Sequence, residues 1–171
     1  YPGYYNFLSI SNQGNRVAVG SPLNDGNGNN SGHVRIFDYD GVLWNQVGQE
    51  IDGEGPDEEF GRVSFNADGN ILAISSNQNS NRKGRVYVYQ LISGNWLQIG
   101  QNIDGEANAD YSGTSLSLNF NGDVIVIGAQ QNDGNGENSG HVRVFQISSS
   151  SNCADLGCLD PLALNFDPYA T

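Results

Sequence analysis

The residues whose types and spacing could do chemistry sit in two matching loops. Asn24-Asp25-Gly26-Asn27-Gly28-Asn29-Asn30 recurs as Asn132-Asp133-Gly134-Asn135-Gly136-Glu137-Asn138. The side-chain oxygens of Asn24, Asp25, Asn27 and Asn29, and of Asn132, Asp133, Asn135 and Glu137, could surround Ca²⁺ together with carbonyls that the glycines leave free. The same composition also suits a plain turn, because Asn, Asp and Gly tolerate positive φ. The corresponding stretch of the middle of the chain, Asn77-Gln78-Asn79-Ser80-Asn81-Arg82-Lys83, has two cations and no acid. That favours the plain turn and leaves calcium as the alternative.

Other candidates have an everyday reading beside the functional one. Acid is concentrated in residues 52–59 and 104–110, which could meet cations or basic partners or could be solvated connections; Asp52 and Asp104 each precede a Gly and are expected to fix a turn through the side chain. His33 and His141 occupy one recurring position where the middle unit has Arg85, so they are expected on a strand surface. Trp44 and Trp96 also recur and suit outer-strand packing or, alternatively, stacking on a sugar. Asn29-Asn30-Ser31 is an N-glycosylation sequon, with Asn29 as acceptor. Cys153 and Cys158 are disulfide candidates of an oxidising compartment; C-x4-C without a nearby His is a poor zinc site. No nucleophile elbow, phosphate loop or His/carboxylate cluster is visible in the sequence, so the chain is read as a non-enzyme.

Composition narrows the classes. The 171 residues carry 7 Lys and Arg against 19 Asp and Glu, a net charge of −12. Lys83 is the sole lysine, which argues against a phosphate-neutralising surface and hence against nucleic acid as a partner. Apolar runs such as 124–127 are far below the roughly 20 residues of a membrane span. The chain starts at Tyr1 and holds no methionine, as expected of a processed product or a window onto something longer.

The elements that must position these residues follow from internal repetition. Gly14-Asn15-Arg16-Val17-Ala18-Val19-Gly20 aligns with Gly69-Asn70-Ile71-Leu72-Ala73-Ile74-Ser75 and Gly122-Asp123-Val124-Ile125-Val126-Ile127-Gly128. Ser31-Gly32-His33-Val34-Arg35-Ile36-Phe37 aligns with Lys83-Gly84-Arg85-Val86-Tyr87-Val88-Tyr89 and Ser139-Gly140-His141-Val142-Arg143-Val144-Phe145. Residues 44–53, opening on Trp44, recur as 96–105, opening on Trp96. Alternating or β-branched runs bounded by Gly, Asn and Asp read as strands, and none shows a helical period. Four short antiparallel strands per unit of about 50 residues predict β-propeller blades, an all-β fold with almost no helix. The third unit ends after Ile147 without its Trp strand, which gives eleven strands in nearly three blades. Closed propellers have roughly 4–8 blades, so further blades or further copies of the chain are expected to complete a ring, with the last blade borrowing an outer strand. The predicted organisation is blades over about 1–60, 61–113 and 114–147, a Ser-rich linker over 148–152 and a Cys-containing segment over 153–171.

Phe60-Gly61 opening a unit, Val19-Gly20-Ser21-Pro22 after a second strand, and the Gly-x-Val-x-Ile/Val-Phe/Tyr strand resemble FG-GAP repeats, relatives of the integrin α-subunit propeller. The similarity is greatest to the Asn/Gly-rich type of secreted marine microbial, algal and large-virus proteins, and it covers residues 1–147. The calcium loop that the resemblance implies in the first hairpin is not matched: residues 11–14, 66–69 and 119–122 supply at most one acid each, too few for calcium. Residues 157–171 resemble the start of a second repeat, "GCxDPxAxNFDPxA", whose usual continuation is missing. The resemblance implies a non-catalytic structural or adhesive segment of a secreted or surface-exposed protein, of cell or virion, that assembles with other copies or other blades. The alternative is a carbohydrate-binding propeller with glycan partners; a propeller glycosidase or lyase is the third reading.

Overall fold

The computed structural model describes residues 7–147. The Ser-rich linker, Cys153, Cys158 and the second repeat type lie outside the described residues. Three antiparallel sheets follow one another along the chain. The first holds β1 (Phe7–Ile10), β2 (Arg16–Ser21), β3 (His33–Tyr39), β4 (Trp44–Gln46) and β5 (Ile51–Asp52). The second holds β6 (Arg62–Phe65), β7 (Ile71–Ser76), β8 (Arg85–Ile92), β9 (Asn95–Gln98) and β10 (Ile103–Asp104). The third holds β11 (Ser112–Leu118), β12 (Val124–Ala129) and β13 (His141–Gln146). These are propeller blades, each built as an up-and-down meander.

The thirteen strands are the eleven blade strands with each outer strand broken in two. β4 and β5 both pair with β3, and β9 and β10 both pair with β8. Gly48 and Gly100, at φ +71° and +69°, put the bend in the gap, a conformation that glycine adopts without a Cβ clash. The bend keeps its ladder: the Val47 and Ile99 amides still donate to Ile36 and Val88 carbonyls at 2.8 Å each.

The first hairpin of each blade closes on a polar side chain. Asn66 Oδ1 accepts from the amides of Asn70 and Ile71 at 3.1 and 2.9 Å, and Asn119 Oδ1 accepts from Gly122, Asp123 and Val124 at 2.9–3.1 Å. Among the described residues helix is confined to one turn, α1 (Asn79–Arg82). It lies in the middle blade, where the Asn-Asp-Gly loop of its neighbours is replaced.

The core lies between blades. One apolar cluster joins Ala18, Val34, Ile36 and Ile51 of the first blade to Phe65, Leu72, Ile74, Tyr87 and Trp96 of the second, with Phe60 between. The other joins Ala73, Val86, Val88 and Ile103 of the second blade to Leu118, Ile125, Ile127, Phe145 and Ile147 of the third. Alternation explains the division: Leu72 and Ile74 face one neighbour, Ala73 the other. β7 is therefore almost wholly buried, whereas β2 and β12 alternate.

Candidate functional site

The predicted ligand loops spend their polar groups on their own backbone and on the acidic connections beside them. Asn24 Oδ1 accepts from the Gly26 amide at 2.8 Å and Asp25 Oδ1 from the Asn30 amide at 2.8 Å. Asn27 Nδ2 donates to the Gly53 carbonyl at 2.7 Å, and Asn29, exposed with its sequon, donates to Asp57 Oδ1 at 2.9 Å. In the third blade Asn132 Oδ1 accepts from Gly134 at 3.0 Å and Asp133 Oδ1 from Asn138 at 2.7 Å. The Asn135 amide donates to Ser139 Oγ at 3.3 Å, and Glu137 is exposed. These are the bonds of a side-chain-capped turn.

The acidic connections divide into two roles. Glu58 and Asp110 are buried, 8% and 2% exposed, where the sequence suggests solvated acid. Each reaches the loop after the second strand of the following blade. Asn79 Nδ2 donates to Glu58 at 2.6 Å and Asn132 Nδ2 to Asp110 at 2.9 Å. Asp104 is not a turn-fixing side chain: its carboxylate takes the Arg85 guanidinium at 2.6 Å, which raises the Arg85 pKa still further. Asp52 lies opposite His33 on the neighbouring strand.

His33, expected on a strand surface, is buried, while His141 is half-buried against Glu106 at 3.1 Å. Arg35 Nε donates to Glu50 Oε2 at 2.9 Å, which, with His33 beside it, holds the Glu50 carboxyl below its ordinary range.

The two tryptophans part company. Trp44 is 46% exposed and leans on Tyr39 with ring centroids 5.2 Å apart. Trp96 is 1% exposed, so no ring face is open to a sugar. Its indole N–H donates to the Val47 carbonyl at 3.1 Å, and Gln49 exchanges two bonds with its backbone at 2.6 and 3.1 Å. The bend at Gly48 creates the room: a Cβ there would fall 2.8 Å from the indole. Trp96 is thus an inter-blade plug.

Sequence reasoning did not foresee the stitches between blades. Ser9 Oγ accepts from the Phe65 amide at 2.9 Å, and Ser64 Oγ from the Leu118 amide at 3.0 Å. The Asn12 amide donates to Ala67 and the Ala67 amide to Phe120, at 2.8 and 3.0 Å. Phe60 packs edge-on to Tyr87, and its amide donates to Ser31 at 3.1 Å. The recurring Ser between two inner-strand apolar residues was the available signal.

Both ends of the array present uncovered apolar surface. Leu8 and Ile10 are 67% and 59% exposed, on the side of β1 away from Ser9. On the third blade Val126 and Val142 are 37% and 60% exposed, although their repeat counterparts Ala73 and Val86 are sealed at 0%. Beside β13 lies a cavity of about 210 Å³ lined by Val88, Ile99, Ile103, Phe145 and Ile147, among others. The corresponding residues of the preceding seam include Ile36, Val47 and Ile51, and there the space is taken by Trp96. Among the described residues no helix is long and apolar enough to cross a membrane.

Comparison with known proteins agrees with this architecture. Residues 92–145 match the FG-GAP repeat model, a unit that begins at the end of β8, just before the Trp96 strand, and ends on β13, so the sequence repeat spans a seam rather than a blade. The chain is similar to a putative 6-phosphogluconolactonase from Bacteroides uniformis ATCC 8492, at 14% identity and TM-score 0.60, over 92% of this chain and 38% of that one. It is also similar to TolB from Acinetobacter baumannii, at 13% identity and TM-score 0.52, over 88% of this chain and 32% of that one. The chain therefore spans between about a third and two fifths of these structures, and at such identity the likeness concerns fold alone. No curated protein matches it. The chain is an array of β-propeller blades that carries an FG-GAP repeat over residues 92–145.

Proposed function

We propose that the chain is a non-catalytic structural or adhesive segment of a secreted or surface-exposed protein, working through assembly with further blades or further copies. One observation carries this reading. The third blade leaves Val126 and Val142 open where the same positions of the two preceding blades are sealed by a neighbour, so its outer face is built like a seam with no described partner. Among the described residues no strand pairs with the outer edge of β13, and that edge with the cavity beside it offers a place for a fourth strand. The test is analytical ultracentrifugation of the full chain across a hundredfold concentration range. Self-association that weakens with Val142→Glu, at unchanged circular dichroism, is the expected result. A compact monomer at every concentration, indifferent to that substitution, would overturn the reading.

A second reading has an observation of its own. The exposed Trp44–Tyr39 pair lies among Asp40, Asn45 and Gln46, and an amphipathic aromatic beside polar groups suits a sugar. Glycan-array binding lost on Trp44→Ala would favour it over assembly.

A further inference from the structure

The first blade gathers a histidine and two carboxylates that neither the seams nor the proposed assembly uses. His33 opens β3 and stands directly opposite Asp52 on β5. Glu50, two residues before Asp52, shares its face, because strand side chains alternate. One ligand atom from each residue lies within 4.8 Å of the other two. The His33 side chain is only 9% exposed, and its Nδ1 is sealed from solvent. That nitrogen is in ion-pair contact with Glu50 Oε1, off hydrogen-bond geometry, and is aimed into the cluster.

The second blade offers an internal control. At the equivalent positions it has Arg85, Asn102 and Asp104. The Arg85 guanidinium fills the place with a permanent cation, 2.6 Å from Asp104. The second acid is gone, and the Asn102 amide oxygen accepts from Gln98 at 2.7 Å instead. Glu54 Oε2 also lies 3.4 Å from that guanidinium, so the chain's own cation serves both carboxylates. In the first blade no guanidinium enters that place, Arg35 holding only the far oxygen of Glu50, and two carboxylates and a buried imidazole nitrogen face one point.

We propose that His33 Nδ1, Glu50 Oε1 and an Asp52 carboxylate oxygen bind a divalent first-row transition ion of the Zn²⁺ class. An imidazole nitrogen with two carboxylate oxygens suits such an ion, whereas Ca²⁺ and Mg²⁺ prefer all-oxygen shells. Small rotations of the half-exposed Glu50 and the exposed Asp52 bring the oxygens to ion-binding distances of about 2.0–2.2 Å. Arg35, on the far oxygen of Glu50 at 2.9 Å, orients that ligand as outer partners of ligating carboxylates do. Asp52 is exposed, so a further coordination position opens to water. The ion would tie β5, the second half of the broken outer strand, to β3.

The experiment is calorimetric titration of the full chain with Zn²⁺, together with the absorption spectrum of the Co²⁺-substituted protein. The expected result is saturable uptake of one ion without a thiolate-to-metal band, which separates this site from Cys153 and Cys158. His33→Arg installs the residue that the second blade already folds with. It and the surface substitution Asp52→Asn should each weaken binding about 100-fold or more, and Arg35→Ala about tenfold. Absence of saturable binding, a thiolate band, or affinity unchanged in both His33→Arg and Asp52→Asn would overturn the site. None of these readouts depends on whether the blades assemble.

Discussion

The two seams of this molecule are made by one repeat and packed to different standards. Between the first and second blades, Trp96 fills the space under the bent outer strand, and Phe60 locks against Tyr87. Between the second and third, Ser112-Gly113 stands where Phe60-Gly61 did, and a cavity of about 210 Å³ marks the place of the indole. The backbone ladder is the same in both, since Ser64 repeats Ser9 and Ala67 repeats Asn12. Hydrogen bonds therefore set the blade spacing, and large side chains set how tightly each seam closes.

The sharpest way to break the contrast is Trp96→Ala. Emptying a sealed aromatic site costs roughly 3–5 kcal/mol, so denaturant unfolding should shift strongly, and the first seam should come to resemble the second. Little change would show that the indole does not hold the seam.

Next comes a matched pair of glycines. A Cβ at Gly20 would collide with the Gly61 carbonyl across the first seam, whereas at the equivalent Gly128 it meets only the Ser115 hydroxyl within its own blade. Gly20→Ala is expected to destabilise by about 3 kcal/mol, at the upper end of overpacking costs, and Gly128→Ala by well under 1 kcal/mol. Equal melting temperatures for the pair would contradict the backbone contact.

Alkaline titration separates the seams chemically. Tyr89 packs against the first cluster, and burial, helped by Glu54, pushes its phenol up to about 12; its counterpart in the second seam is Phe145, which cannot ionise. A raised folded-state pKa means that this stability is fully present below about pH 10, the unfolded value, and is lost as pH rises through about 12. The loss from Tyr89 should approach about 2–3 kcal/mol, read from melting curves alongside tyrosinate absorbance. Tyr89→Phe should remove its share and leave that of Tyr87, whose phenol is also pushed up by burial in the same cluster.

The smallest effect belongs to the stitches. Ser64→Ala leaves the Leu118 amide without its partner and should cost about 1 kcal/mol. Ser117→Ala, at the same position on the third blade, should cost close to nothing, because Ser117 Oγ reaches no following blade. Hydrogen exchange at the Leu118 amide checks the first directly.

Much of this was readable in the chain. Three ordered anchors gave blades, and the count of eleven blade strands stands once each outer strand is seen to bend at Gly48 or Gly100. Periodicity did not reveal that bend, because a single left-handed glycine interrupts pairing without disturbing the alternation of apolar residues. Trp44 and Trp96 read alike in sequence and differ in fate, because burial depends on whether a preceding blade is there to receive the ring. Glu58 and Asp110 read as solvated acid, since the amides that satisfy them, Asn79 and Asn132, lie more than 20 residues further on. His33 was masked by its own repeat: a position that also accepts Arg85 looks like surface until Glu50 and Asp52 are seen to face it.

The sequence by itself determined the blade, because a hairpin needs only local terms: alternation for the strand, Asn and Gly for the turn, and a Trp to begin the outer edge. Only the tertiary structure decided what each recurring residue does. The faces of a blade are chemically similar, and a neighbour alone makes one of them core. That is why Val34 and Val86 are sealed and Val142 is bare, although the three were written in the same place.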